Sequence, residues 1–349
     1  MHDHVSNLRA YAEEGKWRDG QHRRLDKGGA AAYNGGMTTV SLIVPCYNES
    51  AALRPFMAEL RRVLDTMTDV KAEVIFVNDG SRDDTLGIIR ELAAQQEGVR
   101  YVSFSRNFGK EAAMLAGFSR ANGDYAAVMD ADLQDPPALL PELLKAVREE
   151  GYDCAGTRRV NRKGEPPIRS FFARCFYRLI NMVSDTKLVD GARDYKLLCR
   201  PAVDALLSMP EVCRFSKGLY EWIGFRTKWI EFENVERIAG ETKWSFRKLF
   251  SYSLEGIVAF TTAPLSLAAF LGLFFMVGAG VGIIFIIIRE LVYHCSVGGW
   301  ASLVCIILLL SGVQLFCLGI FGRYLSKTYL EVKRRPHFIV AEESPRSPE

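Results

Sequence analysis

Charge is missing from two long stretches of this 349-residue chain. No Asp, Glu, Lys or Arg occurs between positions 257 and 288, or again from 291 to 322. Upstream of residue 256 charges are frequent, so the chain reads as a catalytic-sized domain followed by a membrane domain. The eight cysteines, Cys46, Cys154, Cys175, Cys199, Cys213, Cys295, Cys305 and Cys317, contain no Cys-x-x-Cys pair. That argues against a zinc ribbon or a redox motif and suits a reduced, cytosol-facing domain. A strong charge imbalance is lacking too: 44 Lys and Arg against 41 Asp and Glu leave +3, too little to imply a nucleic-acid partner. Residues 1–37 have few large apolar side chains and no apolar core of a secretory signal. With Gly28-Gly29 and Gly35-Gly36 they read as a flexible extension.

What is present begins at Thr38. The apolar run 40–44 ends at Pro45 and reads as a buried strand. An amphipathic stretch over 51–67 follows, then a strand over 73–77 stopped by Asn78-Asp79-Gly80. A helix over 84–96, a strand over 99–104, a helix over 111–120 and a strand over 124–129 complete the series. Strands alternating with helix-length segments predict βαβ units and a mostly parallel sheet. Ligands of such sheets lie beyond the carboxyl ends of the strands. Further on the pattern is less regular. Strands are expected at 153–157, 195–199 and 228–232, and a helix over 169–183.

The apolar spans 264–288 and 300–321 each reach the roughly 20 residues needed to cross a bilayer. A buried core helix is the alternative for either one. Lys243, Arg247 and Lys248 flank the first span, and Arg323, Lys327, Lys333, Arg334 and Arg335 follow the second. The positive-inside rule then places both flanks and the catalytic domain in the cytoplasm. Residues 243–256 and the start of 323–349 mix aromatic, apolar and basic side chains and read as interfacial amphipathic segments. The small-residue run Gly278-Ala-Gly280-Val-Gly282 permits close helix packing, so a homo-oligomer is allowed.

Asp130-Ala131-Asp132 closes the fourth strand and leads into Leu133-Gln134-Asp135-Pro136-Pro137. Two carboxylates one residue apart at a strand end can converge on one hard divalent cation. Mg²⁺ or Mn²⁺ there would neutralise a diphosphate leaving group. An Asp-x-Asp pair also suits an exposed turn; its place after the fourth strand favours the functional reading.

Three motifs in order, Pro45-x-Tyr47-Asn48-Glu49, Val77-Asn78-Asp79-Gly80-Ser81 and the Asp130–Pro137 stretch, resemble those of family 2 glycosyltransferases. The segments Ser105-Arg-Asn-Phe-Gly-Lys110 and Arg237-x-x-Gly240-Glu-Thr-Lys243-Trp244 are similar to the polyprenyl-phosphate branch, which includes bactoprenol glucosyltransferases and dolichol-phosphate mannose synthase. The resemblance covers about residues 38–335. It implies an α/β, Rossmann-like, nucleotide-sugar-binding domain of the glycosyltransferase A type over 38–242, with two C-terminal transmembrane helices within 257–322.

The resemblance also implies roles. Pro45, Tyr47 and Glu49 would line the nucleotide pocket, and Asp79 would meet the uridine. Asp130 and Asp132 would hold the metal with Gln134, and Asp135 would orient a sugar hydroxyl. Arg158 falls where the family has Gly-Ser-Arg and would meet phosphate; Arg237 and Lys243 would grip phosphate groups, and Arg169 or Arg174 the lipid phosphate. On the acceptor side the family's Gly-Phe stretch is replaced by Asp190-Gly-Ala-Arg-Asp194-Tyr195-Lys196.

The implied reaction is inverting transfer of a sugar, glucose from UDP-glucose first, to a polyprenyl phosphate such as undecaprenyl phosphate at an inner membrane. A lipid phosphate is already anionic, so metal, Arg and Lys carry the burden instead of a strong base. Two rivals are weaker. A processive polysaccharide synthase would carry a Gln-x-x-Arg-Trp motif, which is absent. A non-catalytic nucleotide-sugar scaffold would need no leaving-group metal.

Overall fold

The computed structural model describes residues 37–160, 178, 180–182, 187–233, 258, 261–293 and 299–345. Five elements form the first half of the sheet domain: β1 (Thr38–Cys46), α1 (Ser50–Leu64), β2 (Val70–Asn78), α2 (Thr85–Gln95) and β3 (Val99–Phe104). Then come α3 (Lys110–Phe118), β4 (Tyr125–Val128), a 3₁₀ turn (Pro137–Leu139), α4 (Leu140–Arg148) and β5 (Cys154–Arg159). The domain continues with β6 (Ala192–Cys199), α5 (Arg200–Ser208), α6 (Ser216–Trp222) and β7 (Thr227–Phe232). Two long helices, α7 (Ala263–Tyr293) and α8 (Trp300–Val332), precede a last strand, β8 (Val340–Glu343).

The eight strands form one sheet in the order β7-β5-β6-β4-β1-β2-β3-β8. β1 pairs in parallel with β2 on one side and β4 on the other, and β2 with β3. The chain thus leaves β1 in both directions, and the switch point lies between β1 and β4. That is where an open α/β sheet leaves a crevice for ligand beyond its strand ends. β6 enters antiparallel between β4 and β5, which the sequence pattern did not reveal.

Both faces of the sheet are covered, so β1 is buried almost throughout. Its side chains alternate. Val40, Leu42 and Val44 pack with Leu53, Phe56, Met57 and Leu60 of α1 and with Leu143 and Leu144 of α4. Ile43 faces the opposite layer, with Ala113 and Met114 of α3 and Val203 and Leu206 of α5. The approach of α3 is close: a Cβ at Gly117 would stand 2.1 Å from Ile43 Cγ2. Glycine there lets the helix that begins at Lys110 lie directly on the central strand.

Helices α7 and α8 are long and apolar enough to cross a membrane by length and composition. Their large side chains, among them Phe270, Phe274, Ile284, Leu315 and Phe316, are exposed instead of packed in a core.

The C-terminal region differs from expectation in two ways. Residues 323–332 form no separate amphipathic segment; they continue α8 as one 33-residue helix. Residues 340–343 are no free tail; they pair antiparallel with β3 at the sheet edge. Val340-Ala-Glu-Glu343 has no apolar–polar alternation, so it carries no strand signal until an edge is available to pair with. The expected interfacial segment 243–256 and most of the expected 169–183 helix lie outside the described residues.

Candidate active site

The carboxyl ends of β1, β2 and β4 are tied together by polar groups of the motif residues. After β1 the backbone turns sharply at Asn48, whose φ is 55°. Its N–H donates to Ser81 Oγ (3.0 Å), and its side-chain oxygen accepts from Arg82 N (2.8 Å). Glu49 N donates to Thr85 Oγ1 (2.9 Å) and Ser50 N to Asp83 Oδ2 (3.2 Å). The turns following β1 and β2 therefore clasp each other and present Pro45, Tyr47 and Glu49, all half-buried, at the sheet's carboxyl end.

Asp79 is nearly inaccessible, 3% exposed. Its Oδ1 accepts from Phe108 N (2.6 Å) and its Oδ2 from Gly109 N (2.9 Å). Burial pushes its carboxyl up, and the two amide donors partly offset that. Asp79 thus fixes the Ser105–Gly109 connection against the end of β2. Gly80 allows this packing: it has φ +64°, and a Cβ there would stand 2.4 Å from Arg106 C.

The connection delivers Lys110, first residue of α3, to the centre of a charge cluster. Lys110 Nζ lies 2.6 Å from Asp130 Oδ1 and 2.5 Å from Asp194 Oδ2. Burial disfavours the ammonium, but the two carboxylates outweigh it and hold Lys110 well above an ordinary lysine. Arg193 Nε donates to Asp135 Oδ1 (2.6 Å), and its Nη2 stands 4.0 Å from Asp130. Burial would raise Asp194; Lys110, Lys217 and Arg193 reverse this and keep its carboxyl well below the usual range. Asp132 Oδ1 accepts from Gln134 N (3.1 Å). Between them Leu133 is held at φ 58°, a sparsely populated conformation for a bulky residue that occurs where surrounding structure dictates it.

The structure thus joins Asp130, Asp132, Gln134 and Asp135 at the end of β4, as their proximity in sequence implied. Asp135 lies beneath the other three. Its side chain is fully buried; Oδ1 grips Arg193, while Oδ2 meets no hydrogen-bond donor among the described residues. Desolvation raises its carboxyl, with Arg193 opposing. Arg158 sits opposite Ala192 in the β5–β6 register, with Nη1 3.8 Å from Glu231. Arg174, Arg237 and Lys243, like Arg169, lie outside the described residues.

Lys110, Arg193 and Asp194 are the site residues that pattern reading left without a role. Lys110 was visible only as the end of a motif. Arg193 and Asp194 precede an apolar stretch of β6 whose antiparallel insertion beside β4 brings them to Asp130. One hint was available: adjacent opposite charges at the start of a buried strand need partners.

Among the described residues no three His, Cys, Asp or Glu side chains form a ready-made metal cage. The donor set still fits a hard divalent ion, because Mg²⁺ and related ions take one or two carboxylates and draw the other oxygens from water and substrate phosphate. Asp130 and Asp194 pair with Lys110, Asp135 pairs with Arg193, and Lys217 also acts on Asp194, while Asp132 accepts from Gln134 N.

The glycosyl transferase family 2 model matches residues 41–207. The putative glycosyltransferase CsbB of Bacillus subtilis is 45% identical over 303 residues, 87% of this chain and 91% of its own length. The chain belongs to glycosyl transferase family 2. The prophage bactoprenol glucosyl transferase homolog of Escherichia coli is 37% identical, covering 86% of this chain and 98% of its own. The bactoprenol glucosyl transferase of Shigella phage SfII is also 37% identical, over 86% and 97%. Among solved structures, glucosyl-3-phosphoglycerate synthase of Mycobacterium tuberculosis aligns at 20% identity and a TM-score of 0.43, covering 63% of this chain and 78% of that one. In this family member the clasped strand ends and the Asp130–Asp132 pair occupy the sheet's switch point.

Proposed function

We propose that this glycosyltransferase moves a sugar, glucose from UDP-glucose first, onto a polyprenyl phosphate such as undecaprenyl phosphate at the cytoplasmic face of a bacterial inner membrane. The observation that carries the reading is the meeting of Asp130, Lys110, Arg193 and Asp194 at the β1/β4 switch point, in a chain whose downstream helices expose continuous apolar surface. Kinship with proteins named bactoprenol glucosyl transferases supports the acceptor class and the sugar.

The pocket formed by Pro45, Tyr47, Glu49 and Asp79 takes the nucleotide. Asp79 does so while holding the Ser105–Gly109 connection, because a carboxylate has more acceptor sites than the two amides use. Asp130 and Asp132, with Gln134, hold Mg²⁺ or Mn²⁺, which when bound stabilises the charge developing on the leaving diphosphate. Lys110 then has diphosphate oxygens as alternatives to Asp130. Arg193 is kept in place by Asp135, and with Arg158 it draws the acceptor phosphate toward the sugar. Asp194 keeps Lys110 and Arg193 close to each other against their mutual repulsion. Two anionic reactants are brought together by fixed charges, so no strong base is required.

A polyprenyl chain stays in the bilayer, so the enzyme must reach it there. The spans 264–288 and 300–321, with basic residues outside both, support a hairpin with both ends cytoplasmic. The flank 243–256 and the basic end of α8 hold the domain near the headgroups, and residues 1–37 precede it as an extension. Arg174, Arg237 and Lys243 remain candidates for the lipid phosphate. The small-residue run 278–282 supports a homo-oligomer.

The test uses full-length protein in detergent with Mg²⁺ or Mn²⁺, undecaprenyl phosphate and a panel of radiolabelled nucleotide-sugars. Label in the lipid extract from UDP-glucose, lost on Asp132→Asn and in excess EDTA, is the expected result. Full transfer in EDTA removes the metal from the proposal. No transfer from any donor, with UDP still bound, favours a non-catalytic scaffold.

A further inference from the structure

The end of the chain reaches back to the wall of the donor site. After α8 ends at Val332, seven residues lead into β8, which pairs with the edge strand β3. The strand is held by more than its ladder. Arg90 makes a two-pronged contact with Glu342, whose carboxylate also accepts from Tyr101 Oη (2.5 Å). Arg120 pairs with Glu343 (2.9 Å), and Ser344 Oγ accepts from Tyr101 N (2.9 Å).

Just before β8, Phe338 stacks on Phe104 at 4.9 Å with the rings 12° apart. Phe104 in turn meets Phe108 edge to face at 5.7 Å. Ile339 O accepts from Ser105 N (3.0 Å). The Ser105–Gly109 connection is therefore held from two sides. Asp79 takes the amides of Phe108 and Gly109, and the returning chain takes Ser105 and the two Phe rings. The same connection ends in Lys110, which bridges Asp130 and Asp194. At its other end the returning segment is anchored through α8. Glu331 accepts from Val212 N and Cys213 N (2.9 Å each), so the foot of that helix sits on the catalytic domain.

We propose that residues 338–344 are a positioning strap for the donor site. By backing the Ser105–Gly109 connection they set the place of Lys110 and the nucleotide wall, and they link both to α8. Phe338 and Glu342 touch neither substrate nor metal; they act through Phe104, Phe108 and Ser105. The proposal rests on the reading of this crevice as the nucleotide-sugar site.

The test compares Phe338→Ala, Phe338→Tyr, Glu342→Arg and the charge-swapped double variant Arg90→Glu/Glu342→Arg in the full-length protein. UDP binding with Mn²⁺ is measured by calorimetry, and donor KM and kcat by transfer to undecaprenyl phosphate. Phe338→Ala and Glu342→Arg are expected to weaken UDP binding and raise donor KM about fivefold or more, while kcat changes less than twofold. Phe338→Tyr, which keeps the stacked ring, and the charge swap should restore most of the affinity. Unchanged UDP affinity in folded Phe338→Ala and Glu342→Arg overturns the strap, as does a loss of affinity that neither restoring variant recovers. Asp130→Asn separates the two readings. If it leaves Mn²⁺-dependent UDP binding intact, the donor-site reading fails; if it abolishes that binding while the strap variants bind normally, only the strap fails.

Discussion

A single buried carboxylate, Asp135, shows how the charged groups of this site hold one another in place. Its side chain is fully buried and grips Arg193 at 2.6 Å. Removing one member of a buried ion pair leaves the other uncompensated, at a cost of about 3–5 kcal/mol. Asp135→Ala should therefore lower the melting temperature of the detergent-solubilised protein. Asp132→Asn should not, because Asp132 is only half-buried. It should instead cut transfer by about 10²–10³-fold, the usual effect of removing one electrostatic stabiliser of the transition state. A melting curve and a transfer rate on both variants separate the two roles. Glu342 carries a pH dependence. Its bonds from Arg90 and Tyr101 hold its carboxyl at about 2, below the roughly 4.3 of an unfolded glutamate. The folded value is the lower one, so the contribution to stability is complete above the unfolded value and is lost as pH falls toward 2. Amide exchange in residues 340–343 should accelerate over that window relative to the β1 core, and Glu342→Gln should flatten the difference.

Turns and strand ends decide where these residues stand. The sheet's parallel centre follows from apolar runs separated by helix-length segments, and β1, β2, β3 and β4 lie where the runs occur. The Ser105–Gly109 connection follows from no such pattern. It depends on Gly80, where a side chain would meet Arg106 C at 2.4 Å and the left-handed backbone costs any other residue about 1–2 kcal/mol. Gly80→Ala should push the connection away from Asp79, lower stability by at least that strain and weaken UDP binding. Normal UDP affinity in a stable Gly80→Ala protein would show that the connection can move without consequence. Glu111 plays a comparable part for α6. In the first turn of α3, it accepts from Ser216 N at 3.1 Å and from the Ser216 hydroxyl, and burial raises its carboxyl. The helix that carries Lys110 thereby also fixes the start of α6, whose second residue, Lys217, helps hold Asp194 ionised.

Over the whole molecule, the chain passes through two apolar helices and returns to the sheet it began with. An unpaired sheet edge is a template for aggregation, and here β8 covers β3. The fragment 38–242 lacks that strand as well as the apolar helices. It should expose the β3 edge and Phe104, associate more readily than the full chain, and fail to turn over long-chain polyprenyl phosphate. Sedimentation of the fragment with and without an added 336–345 peptide tests the first expectation. Normal turnover of undecaprenyl phosphate by the fragment would contradict the membrane role of the rest.

The sequence by itself determined the order of strands and helices through β4, the two apolar spans and the family, because each is written in local periodicity or in motifs of fixed spacing. Val40 to Val44 alternates faces wherever β1 lies, and Asp130 must follow β4. It also placed the Asp130–Asp135 stretch at a strand's carboxyl end. Only the tertiary structure decided that β6 runs antiparallel beside β4, that Lys110 bridges Asp130 and Asp194, that Asp135 faces Arg193, and that residues 340–343 return to β3. Each of these joins groups distant along the chain, up to 252 residues apart for Arg90 and Glu342. Such pairings are set by which edges and charges remain unpaired once the core has formed, and local sequence does not encode them.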